Sequence, residues 1–327
     1  MGNYQFLLSD QGSVARQYSK KPMTDDASPA GARSQIVTGQ ITIIGVGLIG
    51  GSFALALRAA GLDSRFIAYG RNEETLRRAV ELKIVDDYST SIADATAGSD
   101  LILLAAPVGA NDAILDALAE HVDPNTVITD VGSVKQSVIE TARSRLPSLE
   151  RFVPAHPIAG TEHSGVEAGF TTLFQDKRLI ITPLPETAAD AIERVTQLWA
   201  MTGAKIEIMD PRRHDQVFAA TSHLPHVLAF TLVETLHRME QNEALLKYAS
   251  GGFSDFTRIA SSDPVMWRDI CLHNSEALLA AIGGLQEGLD TLIEAINQQD
   301  GAKIQQLFQI AKETRDLKIL NATQEPE

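Results

Sequence analysis

From Ile41 onward the chain alternates short apolar runs with longer stretches whose apolar residues recur every three to four positions. The runs Ile41–Ile44, Arg65–Tyr69, Leu101–Ala106 and Thr126–Asp130 are brief and end at glycine, proline or a polar residue. They read as strands covered on both faces. Between them Ser52–Ala60, Glu73–Leu82, Asn111–His121 and Lys135–Leu146 carry helical spacing. Arg151–Ala155, Leu179–Thr182 and Lys205–Met209 read as three more strands, with a helix over Ala188–Thr202. Strands alternating with helices predict an α/β fold with a Rossmann-type, mostly parallel sheet. After Asp210-Pro211 the strand signals stop. Val217, Leu224, Leu228, Val233 and Leu236 fall on one helical face, and Leu278, Ile282, Leu285, Leu289, Leu292 and Ile296 on another. The expected organisation is a mobile extension over 1–37, a dinucleotide-binding domain over 38–209 and an all-helical domain over 210–327. The extension is polar and aperiodic over Ser19–Ser34, and Met23 offers an alternative start. Gly283-Gly284 inside the long helical pattern costs helix stability. It is either a loose surface turn or the seat of a closely packed helix, for which a second subunit is a candidate.

Charge and cysteine content narrow the function. Lys plus Arg number 28 against 42 Asp plus Glu, a formal net charge of −14, with no polybasic stretch. Such a chain is a poor partner for nucleic acid, whose phosphates need clustered cations, and for an anionic membrane. The longest apolar run, near Leu101–Ala106, is far short of a bilayer span. No basic-then-apolar leader opens the chain. One cysteine, Cys271, excludes an internal disulfide and a thiolate metal site. A cytoplasmic protein acting on a small molecule is expected.

The clearest chemical signal is Gly45-Val46-Gly47-Leu48-Ile49-Gly50-Gly51-Ser52 between a strand and a helix. In that context G-x-G-x-x-G predicts a dinucleotide site. Gly45 permits the turn, Gly47 lets the backbone reach a pyrophosphate, and Gly50 lets the helix pack on the strand. Leu48 and Ile49 open a helix whose free N–H groups and dipole favour the anion. The second strand ends Tyr69-Gly70-Arg71, where a NAD site usually places a carboxylate. Gly70 cannot repel a 2′-phosphate and Arg71 can pair with one. NADP is therefore expected, or both cofactors; the alternative is that Arg71 is a solvated charge and NAD is bound through the backbone.

In an open α/β sheet, ligands bind beyond the carboxyl ends of the strands. One strand ends at Ala106-Pro107, small and rigid enough for a nicotinamide ribose. Another ends Asp130-Val131-Gly132-Ser133-Val134-Lys135, and a third His156-Pro157-Ile158-Ala159-Gly160-Thr161-Glu162. These ends share the edge of the glycine loop, so His156 is a candidate base with Ser133 holding its ring, or else a structural histidine. In the helical half, Ser222-His223-Leu224-Pro225-His226 places two histidines on one face, with Pro225 kinking the helix. A zinc pair lacks a third ligand with suitable spacing. Arg258 lies among apolar neighbours, so its charge needs an anion, either an internal carboxylate or a substrate's.

Taken together, GVGLIGGS at Gly45–Ser52, DVGSVK at Asp130–Lys135, HPIAGTE at His156–Glu162, SHLPH at Ser222–His226, DFTRIA at Asp255–Ala260 and DPVMWRD at Asp263–Asp269 resemble the prephenate/arogenate dehydrogenase family of tyrosine biosynthesis. The resemblance implies oxidative decarboxylation of a cyclohexadienol, with hydride passing to NADP or NAD and no metal. It implies that His156 is the base, that Ser133 bonds it near the nicotinamide, and that Arg258 binds a substrate carboxylate. His226 would contact substrate, and Glu162 and Trp267 would belong to the active-site entrance. A homodimer through the helical domain is expected. Ser254 stands where some relatives carry lysine, which removes a cation from the pocket region. A β-hydroxyacid dehydrogenase would share the architecture but normally uses a lysine base. A nucleotide-sensing module would leave His156, Ser133 and Arg258 without a role. The chain ends about 60 residues after Trp267, so any tyrosine inhibition is expected to act at the active site.

Overall fold

The structure is a computed structural model describing residues 39–161, 163–240 and 247–319, with Lys318 and Ile319 described by backbone alone. The expected extension over 1–37, and Glu162, lie outside the described residues. The described chain divides after Ser275 into two compact units. The segment from Pro211 to Ser275, expected with the helical domain, belongs to the first.

That unit is built on strands β1 Gln40–Ile44, β2 Arg65–Tyr69, β3 Asp87–Ser89, β4 Leu101–Leu104, β5 Val127–Asp130 and β6 Phe152–Val153. They form a parallel sheet in the order β3-β2-β1-β4-β5-β6. This order reverses direction beside β1, which opens a crevice at the strands' carboxyl ends. Alternation along each strand feeds two cores. Ile41, Ile43, Leu101 and Leu103 pack with Phe53, Leu57 and Trp199 on one face. Ile44, Ile102, Leu104 and Ile128 pack with Leu115, Leu118, Val138 and Ile270 on the other. The helices of this part of the chain are α1 Leu48–Ala59, α2 Glu73–Glu81, α3 Ile92–Thr96, α4 Asn111–Ala119, α5 Gln136–Arg145 and α6 Ala189–Met201, and Ile270 reaches the second core from a later helix. β3 and α3 gave no sequence signal, because Asp87-Tyr88-Ser89 is short and largely polar.

The region around His156 departs from the expected parallel strand. Pro154 separates β6 from β7 Ala155–Pro157. β7 leaves the large sheet and pairs antiparallel with β8 Arg178–Ile181, which pairs parallel with β9 Lys205–Ile208. His156 therefore sits within a strand of a second, mixed sheet, rather than just past the end of a parallel one. Next come α7 Pro211–Phe218, α8 Leu224–Arg238, α9 Gly251–Thr257 and α10 Pro264–His273. A π-helical turn over Ala219–His223 joins α7 to α8, and the Leu224 N–H donates to the Ala219 carbonyl. Pro225 thus lies, as expected, inside a run that stays helical from Pro211 to Arg238, separated from the π-helical turn by Leu224. The widened turn ahead of it absorbs the missing N–H.

The second unit contains α11 Ser275–Asn297 and α12 Gly301–Thr314. The Asp300 side chain caps α12 by accepting from the Lys303 N–H at 2.9 Å. Apolar side chains remain exposed on both helices, among them Leu289, Ile293, Ile296, Phe308 and Ile310. A Cβ placed on Gly283 or Gly284 would meet nothing within 4 Å among the described residues. No described helix of this chain therefore accounts for the two glycines.

Candidate active site

Two cavities of the first unit hold the expected site residues. The first, of about 390 Å³, is lined by Gly45, Gly47, Gly70, Arg71, Ala106 and Pro107. The Gly45 N–H donates to the Tyr69 carbonyl at 3.0 Å. Gly45 has φ of +95°, and a Cβ there would lie 2.7 Å from the Ala105 carbonyl oxygen. Only glycine turns the chain at this point. A Cβ on Gly50 would strike the Gly45 carbonyl and lie 2.8 Å from Ile43 Cγ2. This explains why α1 begins at Leu48, before the expected Ser52: the glycines are tolerated in the helix because they let it sit on β1. A Cβ on Gly47, by contrast, meets nothing within 4 Å, so the space above its backbone is open. A tight turn, a helix N-terminus and an open backbone ledge fit a pyrophosphate. Leu48 and Ile49 pack partly into the core, behind this ledge. At the rim, the Asn72 side chain accepts from the Thr75 N–H at 3.1 Å and caps α2, ordering the Gly70-Arg71 corner.

The second cavity, of about 530 Å³, brings together Ser133, His156, His226, Arg258 and Trp267. They come from the β5–α5 loop, β7, α8, the turn after α9, and α10, so the sequence expectation for these five converges in one place. Arg258, however, is exposed. It is not the buried charge that its apolar sequence neighbours predicted. His226 Nδ1 lies 2.8 Å from the Ser222 carbonyl oxygen, which can only accept. Nδ1 therefore carries the hydrogen, and the Nε2 lone pair is left for a ligand. Its ring stacks on Trp267 at 3.7 Å between centroids. Burial lowers its pKa, the Ser222 carbonyl opposes this, and the nearby Arg258 charge adds to the lowering. His223, three residues earlier, faces a different partner: its Nδ1 accepts from Asn274 Nδ2 at 3.1 Å.

His156 is the most constrained of these side chains. Its Nδ1 lies 2.8 Å from His214 Nε2, and His214 Nδ1 lies 2.8 Å from Asp215 Oδ1. Asp215 also accepts from the backbone N–H groups of Lys135 and Gln136 at 2.7 and 2.8 Å, at the start of α5. The expected partner of the His156 ring was Ser133. The ring nitrogen Nδ1 goes instead to His214, while Ser133 lines the same cavity. Burial holds the His156 pKa well below the usual imidazole range, and the charges of His214, Lys135 and His223 press it further down. His156 is therefore neutral near pH 7 and able to accept a proton.

Lys135 supports the strand from beneath. Its side chain is fully buried, and Nζ donates to Asp130 Oδ2 and to the Ala155 carbonyl, the latter at 2.7 Å. Asp130 Oδ1 accepts from the Ala155 N–H at 3.1 Å. One ion pair thus binds both backbone polar groups of the residue before His156. Burial lowers the Lys135 pKa, opposed by Asp130 and Asp215.

Residues 53–208 match the prephenate dehydrogenase nucleotide-binding domain, and residues 210–310 the prephenate dehydrogenase dimerization domain. The cyclohexadienyl dehydrogenase of Zymomonas mobilis is 40% identical over 277 residues, covering 84% of this chain and 94% of that protein. The chain belongs to the prephenate dehydrogenase family. It is accordingly an oxidoreductase with a nicotinamide-dinucleotide domain. The prephenate dehydrogenase of Bacillus subtilis is 37% identical over 278 residues, covering 84% of this chain and 75% of that one. Among solved structures, prephenate dehydrogenase of Aquifex aeolicus, in complex with hydroxyphenyl propionate and NAD+, superposes with a TM-score of 0.79 at 39% identity. It covers 85% of this chain and 98% of its own. Synechocystis arogenate dehydrogenase gives a TM-score of 0.71 at 28% identity, covering 85% and 99%. No helix among the described residues is long and apolar enough to cross a membrane.

Proposed function

We propose that this chain catalyses the oxidative decarboxylation of prephenate, arogenate or both, with His156 as the base. The observation that carries the reading is a buried, neutral imidazole sharing one cavity with an exposed guanidinium, Arg258. The substrate is a cyclohexadienol with a ring carboxylate opposite its hydroxyl. His156 Nε2 takes the hydroxyl proton as the alcohol is oxidised. The forming carbonyl is conjugated to the carboxylate-bearing carbon. The carbon–carboxylate bond then breaks, its electrons return to the ring, and carbon dioxide leaves. The ring oxygen becomes a phenolate that takes a proton back from His156. Arg258 supplies positive charge for a substrate carboxylate in a chain of net charge −14. His226 offers a second acceptor at the hydroxyl or its neighbour, and Trp267 fixes the plane of that ring.

Gly45, Gly47 and the start of α1 would hold the dinucleotide pyrophosphate, with Ala106 and Pro107 beside the ribose. When bound, the nicotinamide supplies the hydride acceptor. Gly70 and Arg71 line this cavity without a carboxylate between them, which favours NADP over NAD. The exposed apolar side chains of α11 and α12, with Gly283 and Gly284, support a homodimer through the helical segment. Assaying prephenate and arogenate, each with NAD and NADP, by absorbance of the reduced nicotinamide tests the reaction and the cofactor choice. No turnover in any of the four combinations would refute the reading.

A further inference from the structure

We propose that His214 and Asp215 are positioning residues that set the tautomer of His156 and share the proton it accepts. The proposal rests on the reading of His156 as the base. It starts from Asp215. Oδ1 accepts from the Lys135 N–H and faces His214 Nδ1, while Oδ2 accepts from the Gln136 N–H. Burial would raise its pKa, but the bonds from His214, Gln136 and Lys135 outweigh it and the carboxyl stays ionised. The helix start behind those two N–H groups adds to the effect.

An ionised carboxylate only accepts. His214 Nδ1 must therefore carry the hydrogen, and in the neutral ring Nε2 then holds the lone pair. Across the 2.8 Å gap one nitrogen must donate, so the hydrogen sits on His156 Nδ1. His156 Nε2 is left as an acceptor, the form a base needs. The carboxylate thus dictates, through two rings, which face of His156 is basic. The opposite arrangement would set a lone pair of His214 against the carboxylate, or bury an imidazolium close to the Lys135 charge. Phe218 closes the pair off, with ring centroids 4.9 Å from His156 and 4.6 Å from His214. An apolar wall strengthens the hydrogen bonds it encloses.

The same chain has somewhere to put the proton. When His156 Nε2 takes the hydroxyl proton, its Nδ1 proton can pass to His214 Nε2. The positive charge then lies against Asp215 rather than beside the cavity. The return of the proton to the phenolate runs the steps backwards, so charge and atoms balance with no outside acid.

The test uses the full chain with histidines labelled with 15N, first without cofactor and then in turnover. Wild type is expected to show His156 as the Nδ1–H tautomer, assigned by its loss in His156→Asn. In His214→Ala the tautomer should become mixed, and kcat should fall about 10- to 100-fold, as when an orienting partner of a working imidazole is lost. KM for substrate should stay within threefold. His214→Gln offers an amide oxygen to His156 Nδ1–H, so it should restore the tautomer and part of kcat. If His214→Ala fails to fold, the His214→Gln spectrum and kcat decide alone. A wild-type His156 in the Nε2–H form would overturn the proposal, and so would a His214→Ala enzyme with kcat within threefold of wild type while His156→Asn is inactive. An active His156→Asn would overturn the base assignment instead, leaving the spectrum to judge the tautomer.

Discussion

Lowering the pH from 7.5 to 5 should destabilise the ligand-free protein, and His223 provides a measure of how much. This ring is 1% exposed. Its Nδ1 accepts from Asn274 Nδ2, whose other hydrogen goes to the Asp215 carbonyl at 2.9 Å. Protonating Nδ1 would set one N–H against another. Burial pulls the pKa from 6.5 to about 4; His214 and His226 push the same way and Asp215 opposes. A histidine depressed in the fold takes up its proton on unfolding. Its contribution is therefore complete above the unfolded value of 6.5 and is lost as pH falls from there towards 4. Linkage gives about 3 kcal/mol in all, and about 2 kcal/mol already lost at pH 5. His156, His214 and His226 are also depressed and add in the same direction. Asp215 is lowered as a carboxylate, so its own contribution is lost only at still lower pH. Urea unfolding followed by tryptophan fluorescence reports on the right unit, since both tryptophans, Trp199 and Trp267, precede Ser275. His223→Gln should be less stable at pH 7.5, yet lose about 2 kcal/mol less than wild type between pH 7.5 and 5. Equal losses in the two proteins would refute the assignment of a buried neutral His223. A flat wild-type profile would refute the whole cluster.

Three further outcomes follow from the two cavities. His156→Asn should keep dinucleotide affinity and lose about 10²- to 10⁴-fold in kcat, the usual share of a general base; kcat within threefold of wild type would remove His156 from the mechanism. Arg258→Ala should mainly raise KM for the carboxylate substrate, because the contact serves ground and transition states alike. An unchanged KM with a lowered Tm would make Arg258 structural. Arg71→Ala should weaken NADP and leave NAD nearly unchanged, and Gly70→Asp should disfavour NADP further. A Cβ at Gly70 lies 3.3 Å from Leu76 Cδ2, a side-chain end that can yield, so the second variant should fold. If wild type prefers NAD and Arg71→Ala affects both cofactors equally, Arg71 is a surface charge.

The glycine loop, the alternating strands and the five residues of the second cavity were legible in the chain because each carries a local signal. Apolar period reveals β1, β2, β4 and β5. The spacing of Gly45, Gly47 and Gly50 reports a steric need that no other residue meets. His156, Ser133, His226, Arg258 and Trp267 stand in motifs whose neighbours are contiguous in sequence. What tertiary structure alone decided is what each of these groups faces. His214 and Asp215 sit in the polar run Arg212-Arg213-His214-Asp215, which reads as a wet helix start, yet both are fully buried. His214 lies 58 positions from the ring it bonds, and no period or motif links them. Lys135 looks like a solvated charge opening a helix, but it is buried beneath β7, because Asp130 and the Ala155 carbonyl together replace its water. Arg258 shows the converse: apolar neighbours in sequence suggested burial, and the turn after α9 leaves it exposed. Local pattern sets element type and turn chemistry, since both depend on adjacent residues. Burial and proton position depend on which distant elements pack together, and only the assembled fold contains that information.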